Sequence, residues 1–144
     1  MKVKTDVLIK RLQQENTLAD FLRHNESELT VPAFSHQIMQ LCAIRNIPPE
    51  RIICKANIER SYGHQIFKGR RHPSRDTVIQ LAFGFECSVK ETQALLKTAE
   101  ASALYPRVKR DAVIMFCLNK RIGFIDAQIM LSDLGLPLLG NCPE

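Results

Sequence analysis

Arg60, Lys68, Arg70, Arg71 and Arg75 lie in a segment, Arg60 to Arg75, that contains no Asp or Glu. The 144-residue chain has a formal net charge of +5, so this segment matches its whole cationic excess. Guanidinium groups offer rigid forks of donors suited to phosphate oxygens, and a cluster of them attracts an extended anion. Ser61, Tyr62, His64 and Gln65 are interleaved with the cations. These side chains can hydrogen-bond planar ring edges as well as phosphate.

Catalytic chemistry finds no comparable support. No Ser/His/Asp set, glycine-rich phosphate loop or carboxylate pair occurs in a supporting context, so an enzyme is not expected. His24, His36, His64 and His72 lack metal-ligand spacing. Cys42, Cys54, Cys87, Cys117 and Cys142 are widely separated, with no CxxC. Such spacing predicts reduced thiols in a cytoplasmic protein rather than a disulfide framework or zinc site, and no cofactor is expected.

The elements that must carry the cluster are helical throughout. Apolar residues recur at helical spacing, and no stretch alternates at period two. Two short helices are expected at Thr5–Gln14 and Thr17–Asn25, followed by a boundary at Pro32. Glu15, Asp20, Glu26 and Glu28 oppose Arg23 in this arm, which makes it an acidic counterpart to the basic segment. A longer helix is predicted over Ala33–Arg45, and Pro48-Pro49 opens the next, which ends near Ala56. Asn57 suits the left-handed turn that leads to a helix over Glu59–Lys68, with Gly69 as its C′ residue. Ser74 is the predicted cap of the following helix, and Ser88 opens another through a capping box with Glu91. Further helices are expected over Arg107–Lys120 and between Gly123 and Gly135, making seven to nine in all.

A regularity recurs at an offset of 35 residues. Arg75-Asp76-Thr77-Val78-Ile79 matches Arg110-Asp111-Ala112-Val113-Ile114, Gln93 matches Gln128, and Leu96 matches Leu131. Apolar character agrees at Leu81/Phe116, Ala82/Cys117, Phe83/Leu118 and Leu95/Met130. Either a helical hairpin has been duplicated, or two amphipathic helix pairs share a generic pattern.

The order of residues over Ile52–Ser74 resembles the lambda-repressor-like helix-turn-helix regulators of the Cro or XRE type. Ile66-Phe67-Lys68-Gly69-Arg70-Arg71-His72-Pro73-Ser74 carries the resemblance through its hydrophobic pair, glycine, basic cluster and Pro-Ser. The likeness covers about Ala33 to Ala99 and implies an all-α, five-helix DNA-binding domain. Short helices precede that domain and a helical hairpin is added after it, giving segments 1–31, 32–103 and 104–144.

The resemblance implies a transcriptional regulator that reads double-stranded DNA in the major groove with helix 59–68. Arg60, Ser61, Tyr62, His64 and Gln65 would read bases, with Arg60 suited to guanine and Gln65 to adenine. Lys68, Gly69, Arg70, Arg71, Ser74 and Arg75 would hold phosphate. Glu59 would cap the helix or accept from cytosine. The chain departs from the family pattern at Asn57 in the turn, at Ile53 where a small residue is usual, and at Gly63 where a bulky one is. The last two suggest a volume-conserving exchange.

Ala112–Leu118 is continuously apolar, which predicts a helix buried on all sides, in the core or in a subunit interface. Val113, Phe116, Leu131, Leu134 and Leu138 are the expected homodimer contacts. The tail Leu136-Pro137-Leu138-Leu139 should close over the core or reach a partner. No apolar run approaches the roughly 18 residues a membrane span needs. The alternative reading is a helical adaptor on the same scaffold that binds a regulatory protein partner with little or no DNA binding.

Overall fold

A computed structural model describes residues 3–26 and 33–140 and is all-helical over them. Its nine helices are α1 Thr5–Gln14, α2 Leu18–His24, α3 Phe34–Arg45, α4 Pro49–Lys55, α5 Arg60–Phe67, α6 Arg75–Phe85, α7 Val89–Thr98, α8 Lys109–Asn119 and α9 Phe124–Asp133. The expected boundary residue Pro32, together with Glu28 and Cys142, lies outside the described residues. The chain divides into two compact units, Met1–Pro32 and Ala33–Glu144.

In the first unit α1 pairs with α2, and the Thr17 side chain accepts from Asp20 N to cap α2. Phe21 is buried, whereas Val7, Leu12, Leu18 and Leu22 are exposed. Arg11 donates to Asn25 Oδ1 at 3.0 Å, and Asn25 donates back to the Phe21 carbonyl at 2.9 Å.

The second unit has one continuous core that runs from Phe34 and Ile38 on α3 to Ala127 and Leu131 on α9. Ile114, Cys117 and Leu118 of α8 and Phe124, Ala127 and Leu131 of α9 share this core with α3–α7. α6 is buried around its whole circumference, while α8 is not: Val113 and Met115 are half-buried and Phe116 is 49% exposed. Of the two places expected for Ala112–Leu118, the core takes only one side of α8, because its main neighbours, α9 and α7, cover that side alone. The tail does close over the core, with Leu139 buried.

The 35-residue regularity is structural. Gln93 donates to the Leu104 carbonyl and accepts from Leu104 N; Gln128 makes the same pair of bonds with Leu139, each at 2.8–2.9 Å. Arg75 donates to the carbonyls of Ser102 and Ala103, and Arg110 donates to those of Pro137 and Leu138. The carboxylates are exchanged between copies: Arg75 pairs with Asp111 at 2.8 Å and Arg110 with Asp76 at 3.0 Å. Each aspartate also accepts a backbone N–H, from Tyr105 and Gly140 respectively. α6 meets α9 as α8 meets α7, so the two hairpins are related by an internal pseudo-two-fold.

Candidate functional site

The basic segment is positioned by α4, the four-residue connection Ala56–Glu59 and α5. Pro49 occupies the first turn of α4, where a missing N–H costs no hydrogen bond. Asn57 takes φ +57°, and Ile58 N bonds back to the Ile53 carbonyl to end α4. Gln80 of α6, which sequence reasoning did not single out, fixes this turn. Its amide donates to the carbonyls of Ala56 at 3.1 Å and Asn57 at 3.3 Å. Only the position of a glutamine on a buried helix face hinted at such a role.

The Glu59 carboxylate accepts from Ser61 N at 2.9 Å and Tyr62 N at 2.8 Å, so of its two expected roles the structure gives it the cap. The Tyr62 and Ser61 backbone bonds hold this carboxyl below its ordinary value. Gly63, Ile66 and Phe67 face the core. A Cβ on Gly63 would lie 2.6 Å from Ile53 Cγ2, so the expected large-for-small exchange corresponds to direct contact. The opposite stripe of α5 presents Arg60, Ser61 and Lys68 fully, with His64 and Gln65 half-exposed.

After α5 and its cap Lys68 comes Gly69, whose φ of +75° suits a residue without Cβ. Gly69 N bonds to the Ile66 carbonyl and Arg70 N to that of Gln65, which closes the last turn. Arg70 and Arg71 are then exposed beside the end of α5. Arg71 Nε donates to Gln65 Oε1 at 3.0 Å, and its guanidinium carbon lies 5.9 Å from the Tyr62 ring centroid. Tyr62, Gln65 and Arg71 thus form one cluster on the outer side of α5. Ser74 remains exposed while its Oγ caps α6 through Thr77 N at 3.3 Å. Arg60 pairs with Glu50 at 2.9 Å, and both side chains are largely exposed. Such a pair contributes about 0–1 kcal/mol and leaves Arg60 readily available to another partner.

No family model, curated protein or solved structure matches this chain. Its function must be read from its own residues.

Two expected assignments change. Arg75 turns inward, where Nε, Nη1 and Nη2 all donate to Asp111 or to the Ser102 and Ala103 carbonyls. It joins the two hairpins and leaves the set of phosphate ligands, because its donors are already committed. Leu131 is fully buried in the core and cannot contact a second subunit. Of the other expected dimer residues, Phe116 and Leu134 are exposed, and Val113 and Leu138 are half-buried. Arg110, at the basic start of the C-terminal segment, is likewise engaged inward with Asp76.

Arg45 on α3 was also not anticipated. It donates to the Phe85 carbonyl and pairs with Glu91 at 2.6 Å, which ties α3 to the junction of α6 and α7. Among the described residues no group of three or more His, Cys, Asp or Glu could hold a metal ion, and no helix could cross a membrane.

Proposed function

We propose that the protein is a sequence-specific double-stranded DNA-binding regulator of lambda-repressor-like, bacterial or phage type. The observation that carries this reading is the continuity of one outer surface. Arg60, Ser61, His64, Gln65 and Lys68 line the exposed side of α5, and Arg70 and Arg71 extend it past Gly69. A helix of this width fits the major groove, and side chains on its outer stripe reach base edges. Arg60 reads guanine and Gln65 reads adenine, while Ser61, Tyr62 and His64 contact neighbouring bases or sugar. Lys68, the backbone at Gly69, Arg70, Arg71 and Ser74 hold phosphate on the flanking strand. The turn held by Gln80 sets the angle between α4 and α5, which gives the surface a fixed presentation.

One feature favours the alternative of a protein-binding adaptor. Glu59 places a carboxylate on the N-terminus of α5, and Glu50 pairs with Arg60 beside it. Both oppose phosphate at that end, so the DNA reading places phosphate at the Lys68–Arg71 end. Fluorescence polarisation with random genomic duplex at low salt separates the readings. The regulator binds with an affinity that falls steeply as salt rises. Absence of salt-sensitive binding rejects it in favour of the adaptor.

A further inference from the structure

The pseudo-two-fold supplies an internal comparison for each surface of the second hairpin. On the first hairpin, α4 covers α6: the Ile52 carbonyl and Ala56 lie against Gly84. α3 covers α7, with Gln37, Leu41 and Ile44 beside Ala94 and Leu95. Thirty-five residues on, no other described helix of the second unit takes the corresponding places on α8 and α9 as a main neighbour. Yet that side remains apolar. Leu81 is fully buried and its counterpart Phe116 is 49% exposed; Ala94, itself exposed, corresponds to the larger Ile129, which is 51% exposed. Val78 and Leu95 are sealed, whereas Val113 and Met130 are half-open. Among the described residues of the second unit, the second hairpin thus carries an apolar side that no other helix of that unit covers as α3 and α4 cover the first.

Its charges indicate the occupant. On α8, Lys109 and Lys120 flank Val113 and Phe116 along one helical stripe, whereas on α9, Asp126 and Asp133 flank Ile129 and Met130. All four charged residues are exposed, and none forms an ion pair among the described residues. A surface with an apolar centre, cations on one helix and anions on the other is complementary to its own two-fold image. Placed face to face, two copies lay each lysine-bearing α8 toward the partner's aspartate-bearing α9. We infer that this α8–α9 side is an isologous interface through which the chain binds a second copy of itself.

The test uses the full chain in sedimentation velocity at low salt without DNA, so its outcome is independent of the DNA-binding proposal. The wild type sediments as a dimer. The pair K109E/K120E makes the charged rim wholly acidic, and D126K/D133K makes it wholly basic. Each variant alone dimerises at least about tenfold more weakly, and an equimolar mixture of the two recovers association. Phe116→Glu abolishes the dimer while keeping the helical circular-dichroism signal. If that variant misfolds, the surface charge pairs decide. A wild type that stays monomeric, as it would if another protein's helices occupied the site, overturns the inference. So do charge variants that associate as well alone as when mixed.

Discussion

Ile53 occupies the space that a side chain at position 63 would need: a Cβ on Gly63 would lie 2.6 Å from Ile53 Cγ2 and 2.7 Å from Cγ1. The two positions are therefore one packing unit shared by α4 and α5. Glycine inside a helix costs about 1 kcal/mol relative to alanine, and here it admits a large residue from the neighbouring helix. Gly63→Val should destabilise by about 1–3 kcal/mol through overpacking. Ile53→Ala should cost about 2–5 kcal/mol by leaving a cavity. The double variant should recover much of both losses in urea denaturation. Simple additivity of the two single effects would show that the positions are not packed as a unit.

The exchanged ion pairs predict an asymmetric response to substitution. Arg110→Met should destabilise by about 3–5 kcal/mol, because Asp76 is left buried with a strong partner removed. Arg110→Met combined with Asp76→Asn should cost clearly less than the single change, as thermal denaturation would record. A double variant weaker than Arg110→Met alone would contradict the pairing.

Arg71 and Arg75 are close in sequence and differ in role. Arg71→Ala should weaken binding to every duplex alike and lower the slope of log affinity against log salt by about 1. Arg75→Ala should lower the melting temperature and leave that slope unchanged, once measured below the unfolding range. Arg60→Ala should cost about 1–3 kcal/mol and relax preference at one base pair. Equal salt slopes for the Arg71 variant and wild type would remove Arg71 from the phosphate contacts.

Gln80→Leu removes the donor shared by the Ala56 and Asn57 carbonyls. It should destabilise by about 1–3 kcal/mol, the cost of leaving buried acceptors without their partner. Hydrogen exchange should accelerate most at the turn and the first turn of α5. Acceleration spread evenly over the core would instead mean that Gln80 serves general packing.

Glu91 gives a pH dependence. The Ser88 backbone N–H, followed by Arg45, holds this carboxyl below its ordinary 4.5. Because the folded value is depressed, the stabilisation is present above 4.5 and is lost as pH falls through the lower folded value. The urea midpoint of the wild type should therefore drop more steeply below pH 4.5 than that of Glu91→Gln. Parallel curves would show that the capping box and the Arg45 pair add no acid sensitivity.

Local rules made most of the element ends legible. Ser74, Ser88, Asn57 and Gly69 each perform the role that their residue types suggest, because capping and left-handed turns depend on a few neighbouring atoms. The Ile53–Gly63 contact was legible for a different reason: two departures from a pattern compensated in volume. Arg75 was misjudged because charge alone does not distinguish a surface cation from one paired across the core. Its aspartate partner lies in the next copy of the repeat, where only the fold brings the two together. Leu131 and Phe116 show the same limit within Ala112–Leu118 and its neighbour α9. The apolar run on α8 gives no sign of which side faces out, and the apolar stripe of α9 suits a core or an interface equally, so sequence alone does not separate the exposed Phe116 from the buried Leu131.

The crossed carboxylates also constrain which substitutions the repeated hairpins can accept. Neither arginine codon can drift alone, because the damage from losing Arg75 or Arg110 falls on an aspartate in the opposite copy. That mutual dependence ties the Arg-Asp pair of one hairpin to that of the other. Away from these ties the two hairpins differ: Leu81 corresponds to Phe116, Gly84 to Asn119 and Phe85 to Lys120. The outward side of α8 is thus the part of the repeat that the crossed pairs leave free to differ.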